Sequence, residues 1–325
     1  MNPPTSRSDA LVNKWEGRRF LNDRLDWNLL RTYLAIGQEG SISRAAARLH
    51  VTQSAVSQAL RRLEEQLGCA LVLRGGSRFD LTAAGEEVLR IAIDIYGDVS
   101  RISAAVEQEN DGVAGKVRLL SISRVESKIY DKFLGDFHEA HPLVELEIEV
   151  MRSADIISSL LQKTATAGLG LCRIPQPKLE QRQLLSHRYA FYCGVRHRLF
   201  GRSDVTLEAM RGENFVSFVS DQLGGNLSPL ATFRDQHGFT GKILASSSSF
   251  EEIHRLVCAG FGVGCMPDHL LHEDLEKGLL WRLPPNEGIV DVDLHLLWNR
   301  EQKMTTAEGV FLEGFQHALA QAMID

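Results

Sequence analysis

The sequence predicts a small all-α head, a long connecting helix and a larger α/β body. Three observations predict it: short capped helical segments before residue 68, one long apolar stripe over residues 83–110, and alternating strand and helix patterns from residue 117 onward. A length of 325 residues is enough for two or three domains. We expect four parts, namely a flexible extension 1–25, a head 26–82, a linker helix 83–112 and a body 113–325.

The bulk composition is that of a globular, cytoplasmic protein. Hydrophobic residues make up 44% and charged residues 24% of the chain, and no apolar run reaches the about 18 residues that a membrane helix needs. The first residues contain no apolar leader, and the five scattered cysteines indicate reduced thiols rather than disulfides. The net charge of −6 argues against a general nucleic-acid coat, although residues 26–82 hold seven arginines against five acidic residues.

Three short helices are predicted in the head, at residues 27–38, 42–49 and 53–67. Gly40 ends the first, Ser41 caps the second, and Thr52 and Gly68 stand at the two ends of the third. The third helix should turn four apolar residues inward: Val56, Leu60, Leu63 and Leu67. This succession of a helix, a tight turn and a capped helix is the helix-turn-helix pattern of DNA-binding proteins.

The next two elements are a hairpin and a long helix. Residues 69–81 predict two strands around a Gly75-Gly76 turn, which at this place would form a wing. Thr82 caps a helix over 83–110, and its apolar residues step by three or four: Val88, Ile91, Ile95, Val99, Ile102 and Val106. So narrow a stripe suits a partner helix, so we expect a homodimer, paired further into a tetramer.

The body begins after a hinge at Gly112 to Gly115. Its predicted strands lie at residues 117–122, 144–150, 169–173, 189–195, 215–219, 242–245, 262–266 and 292–298. Its predicted helices lie at residues 125–140, 153–162, 206–211, 226–237, 249–260 and 306–323. Strands interleaved with helices favour largely parallel sheets, in which ligands bind at the carboxyl ends of the strands.

A long ordered motif over residues 26–90 resembles the N-terminal domain of the LysR-type transcriptional regulators. The matching residues are Leu29, Tyr33-Leu34, Gly40-Ser41, Ala45 to Leu49, Val51 to Ser57, Leu60 to Glu64, Leu67-Gly68, Leu71, Arg74, Leu81-Thr82 and Gly85. Two positions depart from the family pattern, because Ser54 stands where the family often has proline and Val72 where it often has phenylalanine. The resemblance implies a winged helix-turn-helix that binds an operator in double-stranded DNA.

The body resembles the effector domain of the same family more loosely, over about residues 116–320. The matching pieces are Gly115 to Leu119, Phe133, Phe137, His141-Pro142, Val144 and the Gly260 to Pro267 turn. The resemblance implies a two-lobed, periplasmic-binding-protein-like α/β domain that binds a small-molecule effector. Lobe one would comprise 116–190 and 290–325, and lobe two 191–289. Ala167 to Gly170 stands where the family usually has Gly-x-Leu-Asp, and the Asp is missing.

The exposed face of helix 53–67 carries the side chains expected to read DNA. We predict base contacts from Gln53, Ser54, Ser57 and Gln58, and a base or phosphate contact from Arg61, with Arg62 on the same face. Four further residues are predicted to hold the DNA backbone: Arg44, Arg74, Ser77 and Arg78. The alternative, an ordinary solvated helix, does not account for the cap, turn and wing in their order.

Hydroxyl groups recur near predicted strand ends in the body. The candidate effector residues are Ser121, Ser123, Arg124, Thr166, Ser217, Ser247 and Met266. Hydroxyls with one arginine would suit a small carboxylate or another polar ligand. Ser248 and Ser249 have glutamates three residues later, so a purely structural capping role is the alternative there.

The sequence favours three other functions less. We expect no enzyme and no cofactor, because the chain has no phosphate-binding loop, no nucleophile elbow and no Rossmann glycine spacing. A metal at His269 and His272 is conceivable but disfavoured, because a surface pair at a helix end is more common. A thiol-based redox sensor is disfavoured because no cysteine has evidently basic surroundings, and a regulator without a small-molecule ligand remains the second reading.

Overall fold

The computed structural model describes residues 25–73, 79–107 and 112–322, and the side chains of residues 97, 98 and 100–107 lie outside its description. The chain forms two compact units, Met1–Ser103 and Ala104–Asp325. The extension 1–24 lies outside the described residues, so its predicted flexibility stays a prediction.

The head contains the three predicted short helices, α1 (Trp27–Glu39), α2 (Ile42–Arg48) and α3 (Gln53–Leu67). The predicted caps are confirmed, because Ser41 Oγ accepts the Arg44 N–H and Thr52 Oγ1 accepts the Ala55 N–H. Gly68 ends α3 in the left-handed region at φ 70°. Local sequence chemistry therefore fixes where α3 begins and ends.

A buried tyrosine ties α1 to the next helix, α4 (Ala83–Glu107). Tyr33 is fully buried, and its hydroxyl donates to the Gly85 carbonyl at 2.9 Å. Burial raises the pKa of Tyr33. A Cβ on Gly85 would lie 2.0 Å from the Leu71 carbonyl oxygen, so this close approach admits only glycine.

The wing, residues 69–81, is anchored at its base by a glutamate of α3. Val72 and Leu81 form an antiparallel bridge, and Glu64 Oε1 accepts the N–H groups of Leu71 at 2.9 Å and Val72 at 3.4 Å. Glu64 is buried, beside the predicted inward residues Val56, Leu60 and Leu63. The wing tip, with Gly75-Gly76, Arg74, Ser77 and Arg78, lies outside the described residues.

Helix α4 packs on the head core and keeps apolar side chains exposed. Thr82 Oγ1 accepts the Gly85 N–H at 2.9 Å, which confirms the predicted cap. Leu89 and Ala92 are buried in the head core, whereas Ile91 is 42% and Val99 40% exposed. The predicted stripe is therefore divided, because Val88 and Ile95 pack against the head core whereas Ile91 and Val99 face solvent. The side chains of Ile102 and Val106 lie outside the description.

The body contains a nine-stranded mixed sheet in the order β2-β1-β3-β9-β4-β7-β5-β6, with β8 also paired to β4. Its strands are β1 (Gly115–Ser121), β2 (Val144–Val150), β3 (Ala167–Gly170), β4 (Leu179–Gly194), β5 (Phe215–Phe218), β6 (Ile243–Ser247), β7 (Val263–Pro267), β8 (Leu280–Leu283) and β9 (Val290–Asn299). Its helices are α5 (Lys128–Ala140), α6 (Ser153–Leu161), α7 (Leu207–Met210), α8 (Ser228–Gln236), α9 (Phe250–Cys258), α10 (His272–Glu276) and α11 (Thr306–Gln321). The C-terminal domain is thus a two-lobed α/β domain, with β1 to β3 in one lobe and β5 to β7 in the other.

The prediction of largely parallel sheets is wrong for half of the strand pairings in the described body. Strands β1, β2 and β3 pair in parallel, as do β5, β6 and β7. The pairings β3–β9, β4–β7, β4–β8 and β4–β9 are antiparallel. Strand β4 is 16 residues long and pairs with β9 along much of its length, so these two strands join the lobes. Strand β8, helix α10 and the first ten residues of β4 were not predicted.

Aromatic side chains build the core of the first lobe. Phe133 of α5 stacks on Phe315 of α11 at 4.6 Å between ring centroids, and Phe311 meets Phe133 edge-on at 5.2 Å. The buried Thr166, ahead of β3, donates to Glu308 of α11 at 2.7 Å. The C-terminal helix therefore closes the lobe built from the first three strands.

Candidate functional site

Helix α3 presents two adjacent rows of polar side chains to solvent. Residues four apart lie one above the other on a helix, which gives one row of Gln53, Ser57 and Arg61 and a second of Ser54, Gln58 and Arg62. All six side chains are exposed, while Val56, Leu60 and Leu63 on the opposite face are buried. The sequence-predicted contact residues of α3 are thus brought together on one surface.

The contacts of these side chains are weak and leave them available to a ligand. Arg61 Nε donates to Glu65 at 3.0 Å, but the arginine side chain is 75% exposed. Exposed ion pairs of this kind contribute little, so phosphate or base edges can compete with the glutamate. Ser54 Oγ lies 3.0 Å from Thr52 Oγ1, at the positive end of the helix dipole.

Two arginines of α2 bind the C-terminal end of α1. Arg44 Nε donates to the Glu39 carbonyl at 3.0 Å, and Arg48 Nη1 donates to Gln38 at 2.7 Å. Arg44 was predicted from the sequence to contact the DNA backbone, and Arg48 was not. Their four-residue spacing on a helix was the signal that could have found Arg48. The remaining predicted contacts, Arg74, Ser77 and Arg78, lie outside the described residues.

The body encloses a cavity of about 450 Å³. It is lined by residues that follow β1 and β2, precede α6, α8 and α9, and follow β7. Both lobes therefore contribute to it. A volume of this size is typical of sites for small molecules.

The charge of the cavity lining is entirely positive among the described residues. Arg124, Arg152 and Arg173 line it, together with no aspartate or glutamate. Arg124 pairs with Glu126 at 3.1 Å, and Arg152 holds both oxygens of Asp155, at 2.7 and 3.0 Å. Arg173 differs, because its Nη1 donates to the neutral Ser228 hydroxyl at 2.9 Å.

The first residues of α6 and α9, Ser153 and Phe250, themselves line the cavity. Ser153 Oγ accepts the Leu171 N–H at 3.0 Å, which binds the start of α6 to the chain after β3. Ser123 Oγ accepts the Phe250 N–H at 3.3 Å, which joins the end of β1 to the start of α9. Positive helix ends add to the arginines, so the lining favours an anion.

Two of the predicted effector residues, Ser123 and Arg124, line the cavity. Arg124 adopts a left-handed backbone conformation, with φ 55°, and its guanidinium lies 5.1 Å from the centre of the Phe250 ring. This backbone conformation is uncommon for residues other than glycine and asparagine, and it indicates that the surrounding structure holds the Arg124 side chain in one position.

The other predicted effector residues lie outside the cavity lining. Ser121 donates to the adjacent Ile122 carbonyl, and Ser217 donates to the buried Asp221. Thr166 donates to Glu308, as described above, and Ser247 accepts the Ser249 N–H at 3.1 Å. Met266 is fully buried in the apolar core of the second lobe.

A pair of stacked histidines forms part of the wall. The rings of His187 and His269 lie 3.1 Å apart between centroids, and His269 lines the cavity. His269 Nδ1 is buried and has no hydrogen-bond partner among the described residues. Burial lowers the pKa of His269 to about 4, with further lowering from His187, His272 and Arg124. Both His187 and His269 are therefore neutral near pH 7, since burial also lowers the pKa of His187.

Arg152, Ser153 and Arg173 line the cavity but were not singled out from the sequence, whereas Ser248, which was considered there with a capping role as the alternative, also lines it. Arg152 and Ser153 stand between predicted strand 144–150 and predicted helix 153–162, so the strand-end rule pointed to them. Arg173 was placed inside predicted strand 169–173, whereas β3 ends at Gly170. The predicted strand boundary was therefore wrong by three residues.

The thiols of the body are shielded. Burial raises the pKa of Cys172, of Cys193 to about 12, of Cys258 and of Cys265. Because the thiolate is the reactive form of cysteine, the raised pKa values disfavour reactivity at these four residues. Within the described chain, no group of three or more histidines, cysteines and acids has the geometry of a metal site.

None of the helices that the structure describes combines the length and the apolar character that crossing a lipid bilayer requires.

Family comparisons agree with this architecture over nearly the whole chain. Residues 27–86 match the model of the bacterial regulatory helix-turn-helix proteins of the lysR family, and residues 110–320 match the LysR substrate binding domain. The transcriptional regulator CfxR of Cupriavidus necator is 30% identical over 268 residues, which cover 81% of this chain and 80% of that protein. The chain belongs to the LysR family of DNA-binding transcriptional regulators, with an effector-binding domain in its C-terminal part.

Two solved structures show the same fold at lower identity. Full-length CbnR in complex with its target DNA has a TM-score of 0.55 and 19% identity, covering 90% of this chain and 100% of that one. A full-length OxyR variant from Pseudomonas aeruginosa has a TM-score of 0.58 and 18% identity, covering 91% of this chain and 95% of that one.

Proposed function

We propose that this regulator binds its operator through the exposed face of α3 and that a small molecule in the cavity between the lobes modulates the binding. The single observation that carries the proposal is the cavity of about 450 Å³ with a wholly basic lining, on the same chain as a complete recognition helix. An α/β domain with a purely structural role would not need an open, positively charged cavity between its lobes.

On the DNA side, the two rows on α3 would lie in the major groove. Glutamines can read adenine edges, arginines can read guanine or hold phosphate, and the short serines let the helix approach closely. Gln53, Ser54, Ser57 and Gln58 would contact bases, with Arg61 and Arg62 on bases or phosphate. Arg44, Arg48, Arg74, Ser77 and Arg78 would hold the backbone.

On the effector side, Ser123, Arg124, Arg152 and Arg173 would hold the ligand. A ligand that contacts both lobes binds one relative placement of them better than another, and so shifts the population of that state. Because the operator is read by paired heads, such a shift changes the spacing of the heads and the bend they impose. A small carboxylate remains the favoured ligand class.

The test is operator binding by the full chain in the presence of candidate effectors. DNA flanking the gene of this protein is titrated by fluorescence anisotropy while small anions, uncharged sugars and hydrogen peroxide are added in separate arms. We expect at least one small anion to change the affinity or the footprint severalfold. If no small molecule alters the affinity or the footprint, the protein is a regulator without a small-molecule ligand. An effect confined to peroxide would instead support a thiol sensor.

The exposed stripe on α4 supports a homodimer, further paired into a homotetramer. Ile91 and Val99 stand eight residues apart on one helix face and are both partly exposed on the described chain. Burying such a stripe against a partner helix removes apolar surface from water at about 25 cal/mol per Å². Dimeric heads would read two half-sites about one helical turn or more apart.

Placing charge on this stripe should dissociate the assembly. We expect Ile91→Asp with Val99→Asp to lower the mass measured by sedimentation, because two carboxylates would be buried in an apolar interface. The matched control is Glu86→Gln, an exposed residue on the opposite side of the same helix, which should leave the mass unchanged. An unaltered mass in the double variant would place the interface elsewhere.

The alternatives follow from the same observations. A thiol sensor is disfavoured by the raised pKa of four cysteines, and the likeness to OxyR concerns the fold alone. An enzyme is disfavoured because the relatives named above are transcriptional regulators. We place the protein in the cytoplasm, where its DNA would be.

A further inference from the structure

The basic lining of the cavity divides into two groups, each built on different elements. Arg152 and Arg173 stand at the start of α6 and after β3, joined through the Ser153–Leu171 hydrogen bond. Arg124 stands after β1, against the Phe250 ring at the start of α9. Each group thus combines guanidinium charge with a positive helix end.

Resting on the effector role proposed above, we propose that the cavity binds a small dianion, with one anionic group at Arg152 and Arg173 and the other at Arg124. A ligand with a single charge would engage one group and leave the other without an anionic partner inside the cavity, because the described lining contains no aspartate or glutamate. Planar guanidinium groups hold carboxylate or phosphate oxygens in pairs, so either chemistry satisfies the geometry.

The counterions already present do not remove this preference. Glu126 and Asp155 pair with Arg124 and Arg152 from positions that are 52% and 45% exposed, outside the lining. Such exposed pairs are weak and exchange readily with a competing anion. Arg173 is held by the Ser228 hydroxyl, a neutral partner, so its charge is the least compensated of the three.

His269 completes the second anionic subsite. Its Nδ1 is the buried polar atom of the lining that lacks a hydrogen-bond partner in the described chain, and a buried donor or acceptor in this state is costly. A ligand oxygen at this atom would satisfy it. Arg124 acts on His269 electrostatically, and both residues line the cavity.

Binding of the anion beside His269 is coupled to a proton. The groups that face His269 are His187 from β4, His272 from α10 and Arg124 from the end of β1, and all of them oppose its protonation. The neighbouring Asp268 is engaged by Tyr192 and by Arg282, at 3.0 Å. A ligand anion beside His269 favours its protonated form and so raises its pKa from the low value of the free protein. The protein therefore takes up a proton on binding and binds the anion more tightly as the pH falls.

Calorimetric titration of the full chain tests the ligand class. The probes are the dicarboxylates succinate, glutarate and adipate, the matched monocarboxylates butyrate and valerate, and phosphoglycolate, which carries a phosphate group as well as a carboxylate. We expect at least one dianion to bind about tenfold or more tightly than its monoanionic match. Arg173→Gln should lose about tenfold or more of that affinity, whereas Arg300→Gln, outside the lining, should lose none.

Variants at His269 test the proton linkage. Asparagine places an amide near the position of Nδ1 without a titratable group, so His269→Asn should keep the affinity within a few-fold and abolish the proton uptake measured in two buffers of different ionisation enthalpy. His269→Leu should lose about tenfold in affinity. The wild type should bind more tightly at about pH 6 than at about pH 8, and the asparagine variant equally at both.

Three results would overturn the proposal: equal binding of mono- and dianions, no loss in Arg173→Gln, or binding of no dianionic probe. None of these three results bears on the regulator function, which is measured separately by operator binding. If the wild type binds its operator and an uncharged molecule shifts that binding, the effector role stands and the dianion is wrong.

Discussion

Replacing both Gln58 and Arg61 with alanine is expected to weaken operator binding by about 2–6 kcal/mol, at about 1–3 kcal/mol for each base contact. The two side chains stand on adjacent rows of α3 and are both exposed, whereas Glu64, which anchors the wing, is buried. Because neither side chain packs in the head core, the loss should be one of contact and not of folding. Fluorescence anisotropy with the operator measures it.

The matched control for this pair lies on the same helix. Gln66→Ala removes the same side chain as Gln58→Ala, two turns further along and also from an exposed position. We expect it to leave affinity and stability within about 0.5 kcal/mol of the wild type. If Gln66→Ala weakens binding as much as Gln58→Ala does, the N-terminal half of α3 is not the part that reads the bases.

Replacing Asp221 with alanine is expected to destabilise the body by about 3–5 kcal/mol. Asp221 is 1% exposed and accepts two hydrogen bonds from Arg234 of α8, at 2.6 and 3.0 Å. It also accepts the hydroxyl of Ser217 at the end of β5. Removing the carboxylate leaves the buried guanidinium, packed on the Phe215 ring, without a counterion.

The exposed pair Arg202–Asp204 is the control for Asp221. Asp204 also accepts two bonds from an arginine, at 3.1 and 2.7 Å, but its side chain is 68% exposed. We expect Asp204→Ala to leave the free energy of unfolding nearly unchanged, because solvent screens that pair. Urea unfolding of the full chain, followed by hydrogen exchange in β5 and α8, measures both. Equal losses in the two variants would mean that burial does not set the strength of the Asp221 pair.

The three short helices of the head could be predicted from the sequence, because their signals are local. Ser41, Thr52 and Gly68 each act within four residues of the helix end that they set, so the bounds of α3 were predicted to the residue. The burial of Glu64 could not be predicted this way. Its position on the apolar face was visible, but the backbone groups that it holds belong to the wing.

The cavity was harder to predict, because it depends on contacts between distant parts of the chain. Thr166 stands near a strand end, as a ligand residue would, yet its hydroxyl is used by Glu308, 142 residues away. The first part of β4 is rich in polar residues and gains its strand character from pairing with β9, about 100 residues later. Since the joining of the lobes depends on that pairing, the positions of Arg152, Arg173 and His269 around one cavity were not readable from local patterns.

Methylation interference on the operator tests the central claim most directly. If the exposed rows of α3 lie in the major groove, prior methylation of guanine N7 in each half-site should abolish binding, because that atom is exposed only there. Binding that is blocked only by minor-groove methylation at adenine N3, or a full chain that ignores duplex DNA at low salt, would contradict the account.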